Sequence, residues 1–259
     1  SGLALFSSTL MADNLKVALA AEPTSMDPHY QNLTINNSFA TQVFNALVLQ
    51  DVNQNLIPGL ASSWTPVDEN TWEFKLRPGV KFHNGASFSA EDVVATMKRA
   101  ANVPNSPSSF GTFIKGKTFE IIDDLTLHVS TEKPYPFTPN DMSRVAIIDS
   151  AFENATTEDF NTGKATFGTG PFTFSKWMPG DLIEIKRNDN YWGSAVEWDS
   201  ITIRPIKDGT TRTAALISGD VDFIERVAPA DLPNLEKRDG IKVFRSVSNR
   251  LLYLTLHMT

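Results

Sequence analysis

Residues 72–100, WEFKLRPGVKFHNGASFSAEDVVATMKRA, decide how the rest of the chain is read. Trp72, Phe74 and Leu76 alternate with Glu73 and Lys75, the period-2 pattern of a strand with one buried face. Pro78-Gly79 and Asn84-Gly85 are turn pairs, because Pro presets φ while Gly and Asn tolerate positive φ. Ser89 stands at an N-cap position, and Asp92 completes capping-box spacing with Asp in place of the usual Glu or Gln. Ala90, Val93, Val94, Met97 and Ala101 supply an apolar stripe, while Lys98 and Arg99 suit the negative end of the helix dipole. The spacing predicts a β-turn-α unit, and this local physics leaves function open.

The residues carry more than their periodicity. The run 76–99, LRPGVKFHNGASFSAEDVVATMKR, closely resembles a signature of the bacterial extracellular solute-binding proteins of the peptide/nickel type, family 5. These are the receptors of ABC importers for dipeptides, oligopeptides, nickel chelates and some sugars or opines. Further matches stand in order along the chain: Met26-Asp27-Pro28, the run 57–64 (IPGLASSW), Gly168-Thr169-Gly170-Pro171-Phe172, the run 188–193 (NDNYWG), the run 208–212 (DGTTR) and Gly219-Asp220-Val221-Asp222. The resemblance covers about residues 15–259.

Composition agrees with an ordinary globular protein. The chain has 259 residues, 41% hydrophobic and 20% charged, and no apolar run long enough for a membrane span. A formal net charge of −7 argues against a nucleic-acid surface, which wants a basic patch. Zero cysteines exclude disulfides, thiol nucleophiles and Cys-ligated metals. Residues 1–12, SGLALFSSTLMA, read as a signal-peptide remnant, the tail of its apolar region.

Read in order, Leu15, Val17 and Leu19 predict a first strand, and Phe39, Val43 and Leu47 predict a helix over 34–49. Residues 50–60 predict a turn and short hairpin, and 102–117, rich in Asn, Ser, Pro and Gly, a loop. A hairpin turning at Asp123-Asp124 and a helix near Pro139 come next. Strands follow around Phe172–Phe174, Leu182–Arg187 and Ile201–Ile203, then a helix through Ala214–Leu216.

The residues show no enzyme's chemistry: no G-x-S-x-G elbow, no P-loop and no Rossmann fingerprint. The four histidines, His29, His83, His128 and His257, are scattered without H-E-x-x-H spacing, so no metal site and no cofactor is expected, and His83 reads as structural. Asp123-Asp124 is accounted for by a turn and Glu91-Asp92 by a helix start, leaving no carboxylate pair for glycoside hydrolysis.

The resemblance implies an α/β fold: one lobe of a type II periplasmic-binding protein, with a mixed β-sheet and an inserted α/β subdomain. It divides that lobe into a core, 13–50 and 168–259, and a smaller insertion, 51–167. It further implies that the chain is the N-terminal half of such a receptor, with the second lobe lying beyond it. The implied function is capture of a small solute, a di- or oligopeptide by base rate, between two lobes that close on a hinge. The solute then passes to ABC permease subunits in the membrane. Nickel chelate, opine and oligosaccharide are the alternatives within the family; a chemoreceptor-linked sensor or a hydrolase on a related scaffold is the alternative outside it. The implied setting is the periplasm, and the protein acts as a monomer. Ligand-contact candidates are loop residues at strand ends: Met26, Asn32 and Thr34; Ser109 and Phe110; Ser143 and Arg144; Glu225 and Arg226; Asn249 and Arg250. Arg250 is the sharpest candidate for an anionic ligand group, because a planar guanidinium suits a carboxylate.

Overall fold

The computed structural model describes residues 13–245. In chain order the elements are β1 (Asn14–Leu19), α1 (Thr34–Val43), β2 (Val48–Gln50), β3 (Leu56–Pro58), β4 (Ala61–Pro66), β5 (Thr71–Leu76), α2 (Ala90–Ala100), α3 (Gly111–Ile114), β6 (Lys117–Asp123), β7 (Thr126–Thr131), α4 (Thr138–Met142), α5 (Thr157–Asn161), β8 (Phe172–Met178), β9 (Leu182–Arg187), β10 (Ser200–Pro205), α6 (Gly209–Ser218), β11 (Phe223–Ile224) and α7 (Leu232–Leu235). No helix among the described residues is long and apolar enough to cross a membrane.

Two larger sheets organise the chain. The first runs β11-β1-β10-β9-β8 and is mixed, as expected. β1 lies parallel to both β10 and β11, while β9 pairs antiparallel with β10 and with β8. Ile183 and Ile185 of β9 are buried with Phe39 and Val43 of α1, so α1 lies over one face of this sheet. Ala18 of β1 points to the other face, where it meets Ile224 and the α6 residues Ala215 and Leu216. Alternate residues of one strand therefore serve two layers, as the pleat requires.

The second sheet, β4-β5-β7-β6, is antiparallel throughout. Its central strand is the one predicted from residues 72–76: Phe74 and Leu76 are buried and Trp72 is half-buried. Leu127 and Val129 of β7 extend that face, and Val93 and Met97 of α2 cover it in one cluster. Burying each such side chain contributes about 1.5–3 kcal/mol. The capping box forms, with the Ser89 N–H donating to the Asp92 carboxylate at 2.8 Å.

Two expectations are corrected. The helix predicted over 34–49 stops at Val43, because Phe44 is extended and the following carbonyls leave the helix. Asn45, Ala46 and Leu47 instead accept backbone bonds from Ile147, Leu60 and Ala61, which turns the chain into β2. The loop over 102–117 contains the short helix α3 and the first residue of β6. Arg99 stands in the last turn of α2 as expected, where its buried side chain bridges α2 to the loop after β1.

The two sheets are joined through His83. Its backbone N–H donates to the Gly168 carbonyl at 2.8 Å, its Nδ1 accepts from the Gly168 N–H at 3.2 Å, and its Nε2 donates to the Gly170 carbonyl at 3.0 Å. Accepting at Nδ1 while donating at Nε2 requires the neutral ring, and burial depresses the His83 pKa accordingly. The structural reading of His83 is thereby given a partner.

Candidate functional site

The turn after α1, the β2–β3 hairpin, the start of α3 and the segment after α4 enclose a groove of about 550 Å3. Phe44, Phe110 and Pro171 give it apolar walls, and Asn37, Asn45, Ser143, Arg144 and Tyr191 supply polar groups. An apolar pocket with a few convergent polar groups is the usual form of a small-ligand site.

Two charged groups reach this groove with opposite fates. The Asp51 carboxylate is spent on its own turn: it accepts from the Asn53 N–H, the Asn55 N–H and the Asn55 side chain, all within 2.9 Å. The Asn55 side chain, then its backbone, holds the Asp51 pKa below its ordinary value. Arg144 is exposed, and no hydrogen bond or ion pair engages its guanidinium among the described residues. The groove thus offers a fork of donors with no internal acceptor, suited to a carboxylate.

A second depression, about 590 Å3, lies between the end of α2 and residues 153–158. Its cations are already committed, Lys98 to Glu153 and Arg99 to Asp27. It is the weaker candidate for a charged solute.

The groove brings together three of the sequence candidates, Phe110, Ser143 and Arg144. Phe110 is only 1% exposed, so it belongs to the hydrophobic core and forms the groove floor at once. Asn32 adjoins the groove through Asn37, whose Nδ2 donates to its Oδ1 at 2.9 Å, while Thr34 is the exposed first residue of α1. Ser109 turns away: its hydroxyl donates to the Ala101 carbonyl and accepts from the Gly111 N–H.

Met26 lies in the core with Phe160 and Phe172 and does not line the groove. Glu225 and Arg226 lie elsewhere. Glu225 accepts from the Ala20 N–H at the edge of the five-stranded sheet and pairs with Arg226, and neither lines the groove. Asn249 and Arg250 lie outside the described residues.

The residues missed from sequence are Asn45 and Tyr191. Asn45 Oδ1 accepts from Thr169 Oγ1 at 3.1 Å and from Trp192 Nε1 at 3.0 Å. A buried asparagine inside the apolar run 43–49, VFNALVL, was the available signal.

The family profile described as bacterial extracellular solute-binding proteins, family 5 Middle, matches residues 55–259. The glutathione-binding protein GsiB of Pectobacterium atrosepticum is 30% identical over 250 residues, 96% of this chain and 49% of its own length. Among solved structures, NikZ from Campylobacter jejuni, in complex with Ni(L-His), superimposes with a TM-score of 0.78 at 26% identity, covering 89% of this chain and 46% of NikZ. The oligopeptide-binding protein AppA from Bacillus subtilis, in complex with a nonapeptide, gives a TM-score of 0.78 at 26% identity, covering 87% and 46%. The chain spans about half the length of the curated relatives it matches. A mixed sheet with α1 and α6 on its two faces, a groove beside it and a profile over most of the sequence converge: the chain belongs to the bacterial extracellular solute-binding proteins of family 5.

Proposed function

We propose that this chain supplies one lobe of the substrate-binding component of an ABC importer, and that its groove receives a carboxylate-bearing solute, first of all a di- or oligopeptide. The observation that carries the reading is Arg144, a guanidinium without a partner among the described residues on the wall of a partly apolar groove. A second lobe closes over the solute, and the loaded protein delivers it unchanged to permease subunits from the periplasmic side. In this reading residues 13–50 and 168–259 form the lobe's core and 51–167 the insertion. Ser143, Phe110 and Asn32 contribute shape and polar contacts near Arg144.

Likeness to GsiB supports glutathione, itself a short peptide with two carboxylates, within the same reading. The likeness to NikZ supports a nickel chelate as the second choice, since an organic chelator also carries carboxylates. The test is to purify the full-length protein natively, denature it and identify the released small molecules by mass spectrometry. Short peptides or glutathione support the reading, a nickel chelate moves it to the second choice, and accumulation of a reaction product from an added substrate overturns it.

A further inference from the structure

Two of the sequence motifs that only marked the family meet on one side chain in the groove wall, and a third braces them. Trp192, from the NDNYWG run, donates its indole N–H to Asn45 Oδ1, and Thr169, from the GTGPF run, adds a second donor. Arg77, from the LRPG run, lies 4.5 Å over the Trp192 ring and anchors itself through a 3.2 Å bond from Nε to the Gly59 carbonyl. Indole nitrogen is a donor only, so the atom facing it must be the amide oxygen. The amide of Asn45 is thereby locked in one orientation, with Nδ2 and its two protons turned away from Trp192.

Tyr191 is placed by packing instead. Its ring lies against the backbone of Gly193, where a Cβ would stand 2.6 Å from the ring. Only a residue without a side chain lets the ring lie there. The ring also packs on Trp192, with centroids 5.3 Å apart. Burial raises the Tyr191 pKa, opposed by the Asn45 side chain and by the charge of Arg77. Both residues line the groove.

We propose that Asn45 Nδ2 and the Tyr191 hydroxyl form a preorganised donor pair that reads an acceptor oxygen of the bound solute, a peptide carbonyl or a second carboxylate oxygen. This rests on the groove being the solute site, and it adds a specificity determinant to it. Arg144 holds charge, whereas the pair selects for an acceptor at a set place, because Trp192 and Thr169 orient the Asn45 amide and the Tyr191 ring packs on Trp192. A solute lacking that acceptor leaves buried donors unsatisfied and is rejected.

The test uses the full-length protein and two probes, glutathione and tri-alanine, titrated calorimetrically into wild type, Tyr191→Phe, Asn45→Asp and Arg144→Ala. Tyr191→Phe keeps the stacked ring and removes only the hydroxyl; Asn45→Asp keeps an oxygen for Trp192 and Thr169 but replaces the donor with an acceptor. The expected result is roughly tenfold weaker binding in each of these two, with the melting temperature of Tyr191→Phe unchanged. Wild-type affinity in both, with affinity lost in Arg144→Ala, overturns the donor pair and leaves the groove reading standing. Absence of binding by wild type to either probe overturns the peptide reading itself, and the pair with it.

Discussion

Arg99 grips the Asp27 carboxylate with both arms of its guanidinium, Nη1 to Oδ1 at 2.9 Å and Nη2 to Oδ2 at 2.7 Å, with both side chains buried. Further bonds surround the pair: Nη1 reaches His29 Nδ1, Nη2 reaches the Ala155 carbonyl, and Thr157 donates to Asp27. The Phe160 ring lies 4.4 Å beneath the guanidinium. A helix of the four-stranded sheet's cluster is thus tied to the loop leaving β1. Burial alone raises the Asp27 pKa, but the bonds and charge of Arg99, with help from His29, hold it below its ordinary value.

Removing one member of this pair leaves the other charge buried and uncompensated. Arg99→Met is expected to cost about 3–5 kcal/mol, a drop of roughly 10 °C in melting temperature. The double change Arg99→Met with Asp27→Leu is expected to recover much of that loss, because an apolar pair of similar volume avoids the desolvation cost. Calorimetric melting of the two variants checks this. Equal destabilisation in the single and double variants would show that packing rather than charge compensation dominates.

Stability is expected to fall between neutral pH and pH 5. Burial, then the charge of Arg99, lowers the His29 pKa to about 4, against a partial rise from Asp27 and the Ala146 carbonyl. The unfolded chain takes up that proton near its ordinary value of 6.5. The contribution is therefore complete above about pH 6.5 and is lost as pH falls toward 4, in the direction His83 shares. At pH 5 the loss from His29 is about 2 kcal/mol, read from urea unfolding at pH 7.5 and pH 5. A flat profile across that range sinks the assignment of both rings as buried and neutral.

Gly168 has no room for a side chain. A Cβ there would stand 2.0 Å from the Val43 carbonyl oxygen, and at Gly170 2.6 Å from the Gln42 carbonyl oxygen. Both contacts are with backbone, which cannot swing aside. Gly168→Ala is expected to destabilise by roughly 3 kcal/mol or more, as a forced backbone shift also breaks the His83 bonds. Gly111→Ala, whose nearest neighbour is the movable Ser109 hydroxyl at 3.1 Å, is expected to stay within about 1 kcal/mol of wild type. Thermal melts of the two variants separate the cases, and a tolerated Gly168→Ala contradicts the packing described.

Much of the fold was legible because its signals are local. The alternation at Trp72–Leu76, the Ser89–Asp92 capping pair and the turn at Asp123 each act over a few residues, and β5, α2 and the β6–β7 hairpin follow them. The end of α1 was not legible, since it is set by bonds to Leu60, Ala61 and Ile147 that no local pattern announces. Arg99 illustrates the same limit: its position suits a helix end, but its partner is 72 residues away. Of the candidate groove, Arg144, Ser143 and Phe110 were named through family likeness, whereas Met26 came from a motif whose loop packs into the core. Asn45 and Tyr191 escaped because their role arises only when motifs far apart in sequence meet around one amide.

The central claim is that the groove holds a carboxylate on Arg144. The direct measurement purifies full-length wild type and Arg144→Ala side by side under native conditions and quantifies the small molecules that each releases on denaturation. The account predicts a carboxylate-bearing solute from wild type and roughly a 10- to 100-fold weaker hold on it in Arg144→Ala, with melting temperatures of the emptied proteins alike. Equal retention of the same solute by both proteins would contradict it.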